Sequence, residues 1–416
     1  MASTDGLRAS DAPTSGNASP RWGAFGYRDF RLLVVARGVS AIGNGLAPIA
    51  LAFAVLDLTG STTSLGIVVA CRQVPQIVFL LLGGAAADRL ARHTVMVGAN
   101  VASAASQAIA AGLILSGTAS VPALGVLAAV NGMSSAFFAP AASGIVPQLI
   151  PPEMLQRANA LLRLTLNVTR VAALGAGGVI VGAFGSGDAV AIDAGSFAVA
   201  AAFLVRLRLP TQQMPGRRVL AELHEGWRAF SSLTWVWTIA AAFALINAAQ
   251  AAAIDVLAPA QAKEHLGGAT AFGVILMTSA LGFVSGGALM LHLRPRRLLK
   301  AGMAAVLLTI PTMLALGPPL PLLAILPCAF IGGLGIEIFS VLWDTALQRH
   351  VPKDVLSRVS SWIMVGYLGL MPLGFLAISP IAHAIGVSAT FYGAAAVTFA
   401  AVLATFLVRR VRELSQ

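Results

Sequence analysis

Long apolar runs alternate with short polar breaks over almost the whole chain. Runs of about 20 residues or more fall near 31–57, 64–87, 94–116, 120–148, 157–184 and 188–207. They return near 235–260, 269–293, 297–317, 320–348, 354–381 and 387–408. A helix needs about 20 apolar residues to cross the roughly 30 Å hydrocarbon core of a bilayer, so each run is long enough to span once. The runs are rich in Ala, Leu and Gly without the period-two alternation of strands, and a lone strand cannot satisfy its backbone in lipid. The pattern predicts an all-α membrane protein with twelve transmembrane helices.

The chain is also written twice. Ile150-Pro151-Pro152-Glu153-Met154-Leu155-Gln156-Arg157 returns as Val351-Pro352-Lys353-Asp354-Val355-Leu356-Ser357-Arg358, and Gly84 with Arg89 and Arg92 is answered by Gly287 with Arg294, Arg296 and Arg297. Two parallel six-helix pseudo-repeats follow, over 29–207 and 233–408, and such duplication in a membrane chain points to a transporter. Residues 1–28, polar and rich in Ser, Ala, Gly and Pro, are expected to be a disordered tail, and 409–416 a second tail. In the linker 208–232, Val219, Leu220, Leu223, Trp227 and Phe230 share one face, which predicts an amphipathic interfacial helix.

Composition strengthens this picture: 57% of residues are hydrophobic, 10% are charged, and mean hydropathy is +0.85. The net charge of +11 belongs to topology. Arg8, Arg21, Arg28, Arg89, Arg157, Arg206, Arg217, Arg228, Arg296, Arg349 and Arg410 lie at breaks on one side, against Lys263 on the other. By the positive-inside rule both termini and the linker are cytoplasmic, in a multi-pass cell-membrane protein. Aromatic residues are not interleaved with these clusters as nucleic-acid binding would require. Cys71 and Cys328 lie inside spans, so neither a disulfide framework nor a cysteine zinc site is indicated.

Gly84-Ala85-Ala86-Ala87-Asp88-Arg89-Leu90-Ala91-Arg92 resembles the G-x-x-x-D-R-x-G-R loop signature of the major facilitator superfamily, with Ala91 as the departure. Phe137-Phe138-Ala139-Pro140, Pro147 and Leu155 to Asn159 resemble the branch holding enterobactin exporters and macrolide efflux proteins. His265-Leu266-Gly267-Gly268-Ala269, Leu293 to Arg297 and Gln348 to Pro352 extend that likeness into the second half. The resemblance implies that the first, fourth, seventh and tenth helices line a central cavity. It also implies that Asp88 meets the start of the eleventh helix, where Arg358 is a candidate partner, making Gly84, Asp88, Arg89, Arg92 and Arg358 a gating set. The second-half copy has Leu291 at the acidic position, so its turn is expected to orient more than to latch.

Charges inside spans need a reason, because each costs about 2.5–3.5 kcal/mol near the bilayer centre on insertion scales. Glu337 lies near the middle of the tenth run and Asp344 seven residues on, with Ser340 between them on the same face. A carboxylate so placed can take and release a proton, so these two are the proton-coupling candidates, Glu337 first; a structural acid bonded to Trp343 or backbone is the competing reading. Arg37, Ser40 and Asn44 form a polar stripe on the first run at i, i+3 and i+7. With Asn131 and Phe138 on the fourth run, and Phe243, Asn247 and Gln250 on the seventh, Arg37 and Asn44 are the substrate-cavity candidates. Apolar walls with few hydrogen-bonding groups suit a bulky amphipathic molecule better than a sugar. Arg72, Arg170 and Asp193 are expected to pair structurally. Gly175, Gly177, Gly178 and Gly182 are expected to bring helices close.

His93, His224, His265, His292, His350 and His383 are scattered, and neither a catalytic constellation nor a Walker-type run is present. No cofactor or metal is expected, and no enzymatic activity. The residues and the resemblance together give a secondary active, proton-coupled exporter of a small amphipathic compound such as a drug, antibiotic or secondary metabolite. It is expected to act as a monomer in the lipid bilayer. A siderophore exporter or importer on the same fold, and a non-transporting channel or sensor, stay open.

Overall fold

The structure, a computed structural model, describes residues 23–207, 219–293, 295–352 and 355–413; the side chains of 81–89, 152, 219–225, 357, 358 and 413 lie outside that description. Among the described residues, twelve helices are long and apolar enough to cross a membrane. In chain order, spans 1 to 6 are Arg28–Thr59, Thr62–Leu80, Arg92–Leu115, Val121–Ser143, Leu155–Phe184 and Ser186–Leu204. Spans 7 to 12 are Thr234–Leu266, Ala269–Met290, Leu298–Leu316, Leu322–His350, Val359–Ile385 and Val387–Thr405. The described residues contain no strand, as expected where every backbone donor must be satisfied within its own segment.

The sequence repeat is also a structural one. Gly185 and Gly386, separated by the same spacing as Ile150 and Val351, turn spans 5 and 11 into 6 and 12 at φ of 92° and 91°, where a side chain would be strained. At that spacing again, Gly132 of span 4 lies against the carbonyl of Arg72 in span 2, and Gly333 of span 10 against the carbonyl of Ser279 in span 8. Neither crossing has room for a Cβ, which fixes one helix against another equally in each half.

Spans 1 and 2 meet at a connection here termed the distal end; the opposite, terminal end carries the first and last described residues. At the distal end one core serves both halves, with Ile49, Leu65, Val68, Val256, Phe272, Phe375 and Ile378 in a single cluster. Near the termini there are two separate cores. Phe30, Leu33, Met96, Ile145 and Leu204 pack in the first half, and Trp235, Ile239, Phe339 and Leu342 in the second. The halves are thus sealed distally and part toward the terminal end, leaving a cleft between them.

Lys263 of span 7 reaches across the distal seam, its Nζ 2.5 Å from Asp57 Oδ1 and 3.1 Å from the carbonyl of Leu56 at the end of span 1. Both side chains are well exposed, at 40% and 55%. Exposed pairs are worth only about 0–1 kcal/mol, so Lys263→Gln is expected to bias the two halves toward distal opening by less than about fivefold. Accessibility of a distal cysteine to an impermeant maleimide measures this. A larger change would mean the pair carries more of the seal than its exposure implies.

One boundary differs from expectation. The tail predicted over 1–28 ends earlier: Gly23–Gly26 forms a 3-10 turn, Ala24 is fully buried, and the Phe25 ring lies 5.9 Å from Phe30. These residues close the end of the first-half core, a role carried by two aromatic rings among polar neighbours; residues 1–22 lie outside the described structure. In the linker a helix forms over Val219–Ser232, and Trp227 packs on Phe230 and on Trp362 of span 11, with ring centroids 5.7 and 4.9 Å apart. The predicted apolar positions Val219, Leu220 and Leu223 have side chains outside the description.

Span 7 is not uniformly α-helical. Two π-helical turns, Ala253–Leu257 and Ala262–Leu266, flank Pro259. Proline offers no N–H to the carbonyl of Asp255 four residues back and crowds it, so the local bonding widens.

Candidate functional site

Span 1 carries its polar stripe into the cleft. Asn44 opens to the cleft and donates through Nδ2 to the Ser40 carbonyl at 2.8 Å, while Arg37 is half-buried one helical turn before Ser40. Together with Phe138 of span 4 and Asn167 and Arg170 of span 5, these residues line a cavity of about 400 Å³. All three helices belong to the first half. The remaining wall is apolar, from Ala41, Pro48, Leu166 and Leu174. A few hydrogen-bonding groups on apolar walls is the mixture that holds an amphipathic molecule in a fixed orientation.

The facing half supplies acids. Glu337 is half-buried on span 10, where a Cβ on Gly287 of span 8 would stand 3.4 Å from its Oε1. Asp344 is exposed one face-repeat nearer the terminal end. The two carboxylates feel one another, and Arg163 of span 5 acts on both from the first half. Trp343, the partner considered for Glu337, instead stacks with Phe339 at 6.0 Å and meets Trp235 edge-on at 5.7 Å. The Glu337 carboxylate has no hydrogen-bond partner among the described residues. Arg170 faces Tyr367 of span 11 in the same electrostatic sense.

Four of the cavity candidates lie elsewhere. Phe243, Asn247 and Gln250 share one helical face, and that face turns into the second half. The Phe243 ring stacks on Phe339 at 4.1 Å, and Gln250 is buried, donating to Thr309 Oγ1 and Thr398 Oγ1 at 2.7 Å each. Asn247, at the edge of the stripe, donates to the Tyr367 carbonyl at 3.5 Å. The expectation that this stripe faces cargo is corrected at Phe243 and Gln250, which join span 7 to spans 9, 10 and 12; Asn247 is half-buried and makes one long contact to span 11. Asn131 is likewise buried, its Oδ1 accepting from Arg72 Nε at 3.1 Å. Arg37, Asn44 and Phe138 are the candidates that the structure brings together.

The residues missed were Asn167 and Arg163, while Arg170 was assigned to structural pairing. Their signal was present, because 163, 167 and 170 fall at i, i+4 and i+7, a polar stripe of the same form as that of span 1.

Of the gating set, Gly84, Asp88, Arg89 and Arg358 have side chains outside the described residues. Arg92 lies over Gly144 at the end of span 4, within the first half, so closely that no Cβ fits between them.

A second polar cluster lies deeper, toward the distal end. Arg72 acts electrostatically on Asp193 of span 6 and on Asp255 in the first π-turn of span 7. Asp193 is fully buried, with Oδ2 accepting from Gln107 Nε2 at 2.5 Å and Oδ1 unpartnered. The expectation of structural pairing for Arg72 and Asp193 describes their surroundings here.

Comparison with known proteins agrees with this architecture. The family model for the Major Facilitator Superfamily matches residues 33–374. The chain is 28% identical over 407 residues to the multidrug efflux pump Tap of Mycolicibacterium fortuitum, covering 92% of this chain and 96% of that protein. It is also 28% identical over 404 residues to the enterobactin exporter EntS of Shigella boydii serotype 18, covering 92% and 93%. Among solved structures, the peptide transporter POT in complex with sulfate superposes with a TM-score of 0.77 at 13% identity, over 96% of this chain and 98% of that one. The nucleoside transporter NupG gives 0.74 at 14%, over 91% and 98%. At such identities the solved structures speak to the fold.

Proposed function

The chain belongs to the major facilitator superfamily, and from that premise we propose that it is a proton-coupled exporter of a small amphipathic compound. It is a transporter and not an enzyme, set in the membrane by twelve spans. The observation that carries the export reading is the amphipathic cavity at the foot of a cleft open at the terminal end. The arginine-rich breaks at that end support its being cytoplasmic, so that cargo enters from inside. Efflux and exporter proteins among the relatives favour the same direction.

Alternating access then rocks the first half, 29–207, against the second, 233–408. Glu337 and Asp344 are the coupling groups, for a reason of sign. When they are ionised, Arg163 on the opposite half attracts them and favours closing the cytoplasmic end; a proton on Glu337 weakens that attraction and favours the open cleft. Protons arriving from outside would therefore reset the protein to take cargo, and their release inside would drive it outward. A potential of 100 mV supplies about 2.3 kcal/mol per charge, enough for about a fiftyfold gradient. The enterobactin exporters among the relatives favour one narrower reading on the same fold, that the cargo is a siderophore.

Gradient-driven transport of a panel of amphipathic drugs in proteoliposomes tests the proposal, comparing the parent with Glu337→Gln. The parent is expected to accumulate cargo only with an imposed proton gradient. The variant should keep downhill exchange and lose uphill accumulation. Equal uphill transport by both would remove Glu337 from the coupling step.

A further inference from the structure

We infer that the cavity recognises an anionic group on its cargo, a carboxylate or an acidic phenol, held between Arg37 and Arg170. The inference deepens the exporter reading of the same site and rests on it for the word cargo.

Two guanidinium groups on adjacent helices line one cavity of about 400 Å³. Neither has a hydrogen bond or an ion pair with any described residue. No carboxylate charge acts on Arg37, and Arg170 is paired only in the loose sense that it faces a neutral phenol, Tyr367. The acids of the opposite wall are already attended by a different cation, Arg163. The first-half wall thus holds two cations with no ion-pair partner among the described residues, in a chain that elsewhere gives its intramembrane arginine Arg72 an amide acceptor and two carboxylates in range.

Guanidinium presents a planar fork that matches a carboxylate or phenolate oxygen, and such charge-assisted bonds are the strong ones. Asn44 and Asn167 add amide groups at the same wall, and the Phe138 ring with Leu166, Leu174 and Pro48 gives the apolar face an aryl or alkyl body needs. A cation entering this cavity would meet two like charges. A neutral molecule would leave both unpaired, so the site discriminates by charge before shape. With the orientation proposed above, the inside-negative potential also assists the outward step of an anion.

Equilibrium binding to the purified full chain in detergent, by titration calorimetry, separates this from the transport reading because binding needs no gradient. The probes are 2-naphthoate, its neutral amide and 2-naphthylmethylammonium. Naphthoate is expected to bind at least about tenfold tighter than the amide, with the ammonium weakest. Arg37→Gln and Arg170→Gln should each reduce naphthoate affinity about tenfold with the amide unchanged, and Arg37→Lys should retain part of the preference. The comparison of probes on the parent needs no variant, so a poorly folding substitution does not leave the idea standing. Naphthoate binding no tighter than the amide, including no binding by either, overturns the inference. So does a naphthoate affinity indifferent to both glutamine variants. A parent that prefers naphthoate yet never accumulates it in proteoliposomes would sink the exporter reading alone.

Discussion

Gly178→Val is expected to abolish transport while each half still folds. Spans 5 and 8 cross at the distal end backbone to backbone: a Cβ on Gly178 would stand 2.6 Å from the Ala269 carbonyl oxygen and 2.9 Å from the Gly273 Cα. The reciprocal Cβ on Gly273 would meet the Gly178 nitrogen at 2.8 Å. Backbone cannot rotate aside as a side chain can. Overpacking in ordinary cores costs about 1–3 kcal/mol, or roughly five- to 150-fold in a two-state population, and an obstacle made of main chain lies at or above that range. The seal that joins the halves would not close, so the state open at the terminal end would be lost. Gly175→Ala is the control, since its Cβ meets the flexible end of Met277 and not backbone. In a background with Cys71→Ser and Cys328→Ser, Ala269→Cys, buried at the crossing, should become permanently reactive to an impermeant maleimide when Gly178→Val is present. Parent-like labelling and transport would show that this crossing is not the seal.

That crossing illustrates what could be read from sequence and what could not. The spans were legible because lipid leaves one structural answer to a long apolar run, and the twofold repeat because its turn residues recur with it. The cluster Gly175, Gly177, Gly178 and Gly182 announced a close approach, but not which helix would come close. Polar faces were harder. Span 1 with Arg37, Ser40 and Asn44 and span 7 with Asn247 and Gln250 carry the same signal, and they face opposite ways. In a membrane a polar stripe must avoid lipid, and periodicity does not say whether it does so by lining a cleft or by bonding to a neighbouring helix. Gln250 found Thr309 and Thr398, residues 59 and 148 positions away. Such partners are invisible to any local pattern. The stripe on span 5, in contrast, had the right period and was hidden only by assigning Arg170 to a structural pair.

Arg72→Met is expected to lower stability by about 3 kcal/mol, the penalty typical of breaking a buried charged network by removing one partner. Methionine is close in length and flexible, so the loss is chiefly of charge and hydrogen bonding. Arg72 Nε donates to Asn131 Oδ1 at 3.1 Å, and its charge compensates Asp193 within the first half and Asp255 across the seam. Asp193 is the more vulnerable carboxylate. It is fully buried, has one oxygen satisfied by Gln107 and the other by nothing, and packs where Gly43 of span 1 leaves no room to move. The thermal unfolding midpoint in detergent should therefore fall in Arg72→Met and recover in part when Asp193→Asn is added, because the amide no longer needs a cation. Asp255→Asn offers a different outcome. Asp255 keeps accessible surface in a π-turn of the other half, whereas Asp193 keeps none, so its neutralisation should restore less stability. Made instead in the parent, where Arg72 is present, it should shift distal accessibility, since it removes the attraction between halves while the buried charge of Asp193 persists. Recovery by Asp255→Asn and not by Asp193→Asn would reverse these roles. Arg72 would then be chiefly a tie between the halves, and the rigid-half picture on which rocking depends would need a different anchor for span 2.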